Sequence, residues 1–231
     1  MSERPRVVLF DFDGTLVHIT IDFEAMRNNA LDVAHRYGAN PDKGTFTLEM
    51  VESVRDRLAQ TDAALALQFR REALAAIEAV ELEAADRAEP LPGTRETLAW
   101  LGQHGIAIAI VTRNCRTAVC DVLRRHGLAC DVLLTRDDVA HVKPNPEHLL
   151  EAARRLHAPP SECIMVGDHP TDVAAARGAG MTAVAVTTTR AAEGFDGQPD
   201  FILNDLRELV PIVESGAWRA ALAGSRSSAR S

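Results

Sequence analysis

From Thr94 onward, helical patterns alternate with short apolar runs, and this rhythm limits the fold more than any other feature of the chain. Thr94 to His104, Arg116 to His126, Pro146 to His157 and Thr171 to Arg177 carry helical spacing. Ile106 to Val111, Cys130 to Leu134, Cys163 to Val166 and Thr182 to Val186 read as strands, followed by a weaker strand at Phe201 to Leu203 and a closing helix from Asp205 to Glu214. Strands this apolar are covered on both faces, and strands separated by helices run parallel. The expected class is α/β, with a doubly wound parallel sheet.

A different pattern precedes that stretch. Val7 to Phe10 is a short buried strand, and about seventy residues of helix follow it. Asp22 caps a helix that reaches Tyr37 and stops at Gly38; a second begins near Thr47, with Leu48, Val51, Val54 and Leu58 on one stripe. A third places Leu65, Phe69, Ala73, Ile77, Val80 and Ala84 on one face. Pro90, Pro92 and Gly93 mark a boundary. Residues 18–88 are therefore expected to form a helical insertion within a core of residues 1–17 and 89–215. Residues 216–231 hold little apolar matter beyond Trp218, which predicts a mobile tail.

Composition removes several function classes. Lys and Arg total 25 against 33 Asp and Glu, a net charge of -8, so no general attraction to nucleic acid or anionic membranes is expected. No apolar stretch has the length of a membrane span, and the N-terminal residues lack a signal peptide's apolar region. The four cysteines show no metal-binding spacing and read as thiols of a reducing, cytoplasmic setting. The histidines are scattered, and no zinc site is expected.

Ligands of such sheets bind at the carboxyl ends of the strands. Four strand exits carry polar groups of one kind. Asp11-Phe12-Asp13-Gly14-Thr15-Leu16 follows the first strand, and Thr112-Arg113-Asn114 follows Ile108 to Val111. Lys143-Pro144-Asn145-Pro146-Glu147 precedes a helix, and Gly167-Asp168-His169-Pro170-Thr171-Asp172 follows Ile164 to Val166. Alternation sends Asp11 and Asp13 to one side, and Asp168 and Asp172 share a helix face. Individually these have plain readings: Thr112 as a helix cap, Lys143 as a loop lysine, Asp172 as a first-turn acid. Their common register at strand exits favours a shared site.

The order and spacing of these four segments, over residues 6 to 190, resemble the haloacid dehalogenase superfamily in its phosphatase-like branch. The resemblance implies a Rossmann-like core, a helical C1 cap formed by the insertion, and an active site between the two. Four carboxylates at one sheet edge with only Lys143 as motif cation need a divalent ion, and oxygen ligands suit Mg²⁺, held by Asp11, Asp13, Asp168 and Asp172. Asp11 is expected to attack phosphorus and Asp13 to act as acid, then base. Thr112 and the Arg113 amide would hold a phosphate oxygen, and Lys143 would neutralise charge; Asp172 would act through water or orient Lys143.

The expected function is Mg²⁺-dependent hydrolysis of a small phosphorylated metabolite, with phosphoglycolate a family-typical candidate. A phosphomutase of the same fold and a non-catalytic phosphate-binding module are the alternatives. Dehalogenation is disfavoured, since it requires neither Asp13 as an acid nor a metal. His169 departs from the family pattern, which often has a small hydroxylic residue there. His18 and Arg27, leading into the insertion, read as surface or packing residues more readily than as substrate contacts.

Overall fold

Val7, Val8, Leu9 and Phe10 are all buried, as a strand covered on both faces must be. In a computed structural model of the chain, which describes residues 4–41, 44–195 and 199–220, this strand lies in the middle of the sheet. The elements in chain order are β1 (Val7–Phe10), β2 (Val17–His18), α1 (Phe23–Arg36), α2 (Thr47–Ala59), α3 (Ala63–Ala85), β3 (Glu89–Pro90), α4 (Thr94–Gln103) and β4 (Ala107–Val111). They continue with α5 (Arg116–His126), β5 (Val132–Leu134), α6 (Glu147–Arg155), β6 (Cys163–Gly167), α7 (Pro170–Ala179), β7 (Thr182–Val186), β8 (Phe201–Leu203) and α8 (Leu209–Ser215).

The main sheet has the order β5-β4-β1-β6-β7-β8, with every pairing parallel. The chain winds outward from β1 in both directions, so the fold is a doubly wound, Rossmann-like α/β sheet with its switch point at β1. Leu9, Ala109, Val111, Met165 and Ala183 from the strands join Leu149, Ala152, Val173 and Ala176 from α6 and α7 in one core. Each large aliphatic side chain buried there contributes ~1.5–3 kcal/mol. Val17 and His18 pair antiparallel with Pro90 and Glu89 in a separate two-stranded ribbon.

The chain divides into two compact units, Thr20–Arg87 and the described residues on either side of it. Within Thr20–Arg87, α3 packs along both α1 and α2. Asp22 caps α1 through Ala25 N–H at 2.8 Å, and Asp62 caps α3 through Leu65 N–H at 3.0 Å; each cap contributes about 1 kcal/mol. Phe69, Ala73 and Ile77 meet Val51, Val54, Ala30 and Val33 in a core of this unit's own. Leu65 is exposed, and the stripe starts at Ala66 instead, three residues before Phe69.

Two further expectations change. The closing helix from Asp205 divides, because Asp205 accepts from Arg207 N–H at 2.8 Å and caps a 3-10 turn, Leu206–Glu208, ahead of α8. The expected mobile tail begins with an anchored segment: Trp218 is buried, and its carbonyl accepts from the Thr182 hydroxyl at 3.1 Å. Residues 221–231 of that expectation lie outside the described residues.

Candidate active site

The three central strands deliver three of the four motif segments side by side. Beyond the end of β1, Asp11 N–H continues the ladder to Val166 O at 2.9 Å; beyond β4, Thr112 N–H reaches Leu134 O at 2.9 Å. These bonds extend the rigid sheet by one residue at the positions that carry chemistry. Gly14 then turns the chain at φ 75, and a Cβ there would lie 2.3 Å from Asp168 Oδ2. Gly167 is equally constrained, since its Cβ would meet Asp172 Oδ2 at 2.3 Å. Both glycines leave room for carboxylates.

Lys143 lies at the centre of the charge network. Its ammonium sits 2.7 Å from Asp11 Oδ1 and 2.7 Å from Asp172 Oδ1, and its side chain is 1% exposed. Burial works against the ammonium's charge, but Asp11 and Asp172 outweigh it and hold its pKa above the ordinary lysine value. Asp172 uses its other oxygen to accept from His169 N–H at 3.1 Å, which closes the first turn of α7. Burial, offset only in part by Lys143, pushes the Asp172 carboxyl up to about 7.

Asp168 is gripped by two hydroxyls: Thr15 donates to Oδ1 at 3.1 Å, and Thr189 donates to Oδ2. Burial first, and the neighbouring Asp11 second, raise its carboxyl to about 6. Carboxylate oxygens of Asp11, Asp168 and Asp172 lie within 4.8 Å of one another. Three acids beside one ammonium leave a deficit of two positive charges, and the neighbouring carboxylates add to burial in raising Asp168 and Asp172. A divalent ion with oxygen ligands fits that deficit. Asp13, the fourth expected ligand, is not among these three clustered carboxylates; its backbone pairs with Val17 in the tight turn.

A family model for haloacid dehalogenase-like hydrolases matches residues 5–180. The chain belongs to this family. Pyrophosphatase PpaX from Bacillus mycoides is 32% identical over 212 residues, covering 89% of this chain and 95% of the relative. A solved haloacid dehalogenase-like hydrolase from Bacteroides fragilis superposes with a TM-score of 0.63 at 29% identity, covering 89% of this chain and all of the other. A structure described as a predicted phosphoglycolate phosphatase from Haemophilus somnus shares the fold, with a TM-score of 0.62 at 19% identity, covering 92% and 99%.

In this hydrolase the remaining sequence candidates divide. Thr112 is buried, and its hydroxyl accepts from Asn114 N–H at 3.1 Å. It does not cap α5, whose N-cap position is Cys115. The Arg113 guanidinium donates to Lys143 O at 2.5 Å, while Arg136 donates to the Arg113 carbonyl at 3.3 Å. His169 caps α7: its Nδ1 accepts from Thr171 N–H at 3.2 Å, so the departure from a hydroxylic residue preserves the capping function. Burial, followed by the charge of Arg190, lowers the His169 pKa.

His18 is exposed on the two-stranded ribbon, and Arg27 donates to Thr45 O at 2.5 Å inside Thr20–Arg87. Sequence reasoning gave no role to Thr15, Thr188 or Thr189. Thr188 donates to the Gly14 carbonyl, so the segment after β7 is tied to the first motif next to the Thr189 contact with Asp168. The run Thr187-Thr188-Thr189-Arg190 at a strand exit was the available signal.

Proposed function

We propose that the chain is a Mg²⁺-dependent phosphatase acting on a small phosphorylated metabolite through an aspartyl-phosphate intermediate. The observation that carries this reading is the Lys143 ammonium bridging Asp11 and Asp172 beside Asp168. It sets cationic charge beside the Asp11 carboxylate, where a phosphate would arrive. Asp11, Asp168 and Asp172 would hold the ion, which when bound supplies Lewis-acid polarisation and screening for an anionic substrate.

An Asp11 carboxylate oxygen attacks phosphorus, and the bond from phosphorus to the leaving oxygen breaks. Asp13 gives that oxygen its proton. Asp13 then takes a proton from water, whose oxygen attacks the same phosphorus; the bond to Asp11 breaks, releasing phosphate and restoring the carboxylate. The Thr112 hydroxyl and the Arg113 amide receive a phosphate oxygen, and Lys143 offsets the charge that develops. One ion contact near 4 Å at an effective dielectric of ~20 contributes about 4 kcal/mol before desolvation. Such a contact is small beside the barrier of uncatalysed phosphomonoester hydrolysis, so the covalent step and the metal carry most of the acceleration.

Pyrophosphate, from the name of the Bacillus relatives, is the first substrate to test, and phosphoglycolate the second. Purified protein with Mg²⁺ should release phosphate from one of them or from another member of a phosphometabolite panel. Chelation and Asp11→Asn should each abolish release. Turnover that survives either treatment, or isomerisation of a sugar phosphate without free phosphate, would overturn the assignment.

A further inference from the structure

His148 is fully buried in the first turn of α6 and takes no part in the chemistry above. Its imidazole turns back along the chain, and Nδ1 accepts the Lys143 N–H at 3.3 Å. The carbonyl of Lys143 is held from the other side by the Arg113 guanidinium at 2.5 Å. Both main-chain polar groups of Lys143 are thus satisfied by side chains. From this pinned backbone the ammonium reaches Asp11 and Asp172, at 2.7 Å each.

We propose that His148 is a positioning residue, whose Nδ1 fixes the Lys143 backbone and so aims its ammonium between Asp11 and Asp172. With Nδ1 accepting, the ring proton sits on Nε2, which is buried and reaches no acceptor in hydrogen-bond geometry among the described residues. The Leu134 carbonyl lies beside it and favours the ring proton, while also accepting from Thr112 N–H at 2.9 Å. Burial, reinforced by Lys143, drives the imidazole pKa to about 3, in keeping with a permanently neutral acceptor. The same arrangement links the two loops that carry Thr112 and Lys143, because Arg113 follows Thr112 directly.

The kinetic half of the test rests on the phosphatase reading, and two variants separate positioning from packing. His148→Leu keeps apolar bulk and removes the acceptor; His148→Asn keeps an acceptor and loses volume. His148→Leu keeps the buried volume filled and His148→Asn opens a cavity, so His148→Leu should melt closer to wild type than His148→Asn. Activity should take the reverse order. His148→Leu should lower kcat by about 10²-fold with KM little changed, and His148→Asn should recover most of it. Activity that follows the melting order would overturn the proposal.

A readout free of turnover keeps the two readings distinct. Imidazole ¹⁵N spectra of the wild type should show the Nε2–H tautomer of His148. The Lys143 side-chain signals should shift in His148→Leu and return toward wild type in His148→Asn. An Nδ1–H tautomer, or unmoved Lys143 signals, would overturn the positioning role. Inactive wild-type protein would count against the phosphatase reading alone.

Discussion

Asp172 serves Lys143 with one oxygen and its own helix with the other, so a single side chain couples the ammonium to the entry of α7. Removing one partner from a buried ion pair costs ~3–5 kcal/mol, far more than an exposed pair contributes, so Lys143 and Asp172 stand or fall together. His148, one contact away, has a consequence that can be read against pH. Its folded pKa of about 3 lies below the unfolded histidine value of about 6.5, with burial the main cause, Lys143 and Arg113 adding to it, and the Leu134 carbonyl and Asp138 opposing. Between those values the unfolded chain binds the extra proton, so this group's contribution to stability falls as pH falls from about 6.5 toward 3. The raised carboxyls of Asp168 and Asp172 act in the opposite direction in metal-free protein, so the comparison must be made between variants. Urea unfolding should show wild type losing stability relative to His148→Leu by up to ~1.4 kcal/mol for each pH unit below 6.5. A difference that stays constant from pH 7 to pH 5 would contradict this assignment.

Where a strand hands over to a helix, the sheet and the charge network meet. β6 ends at Gly167, and the absent Cβ is the space in which the Asp172 carboxylate sits. Gly167→Ala should therefore displace Asp172 from Lys143 with the strand intact. Phosphate release should fall by about 10²-fold with circular dichroism unchanged; activity within a few-fold of wild type would show that Asp172 can shift without consequence. Elements of this kind were largely legible in the sequence, because apolar runs, caps and glycines act locally. The α1 cap at Asp22 and the exits at Asp11, Thr112 and Asp168 follow from such signals. The grip of Thr189 on Asp168 and the turn of His148 back to Lys143 did not, because each depends on how segments meet in space. Leu65 marks a limit of another kind: its spacing suits the helical stripe, but the packed face of α3 starts one residue later, at Ala66.

At the scale of the molecule, the C-terminal segment is tied to the same sheet that carries the site. Trp218 is buried, its ring lies under the Arg219 guanidinium at 5.1 Å, and its carbonyl takes the Thr182 hydroxyl at the start of β7. Trp218→Ala should cost ~3–5 kcal/mol, measured as a lower urea midpoint; a loss below about 1 kcal/mol would show that the segment adds little to the fold. Composition had concealed this, because one large ring in a polar stretch scarcely changes its average. The strand order has a further consequence, in time rather than in space. β1 leaves the ribosome well before either of its two partners, at Ala107 and Cys163. At about 5–20 residues per second, its apolar edges wait several seconds for the first partner and longer for the second. The helical unit Thr20–Arg87 is contiguous and closes on local contacts meanwhile. Synthesis thus meets its most exposed interval while Val7 to Phe10 lacks both neighbours, and a chaperone that shields that segment would act then.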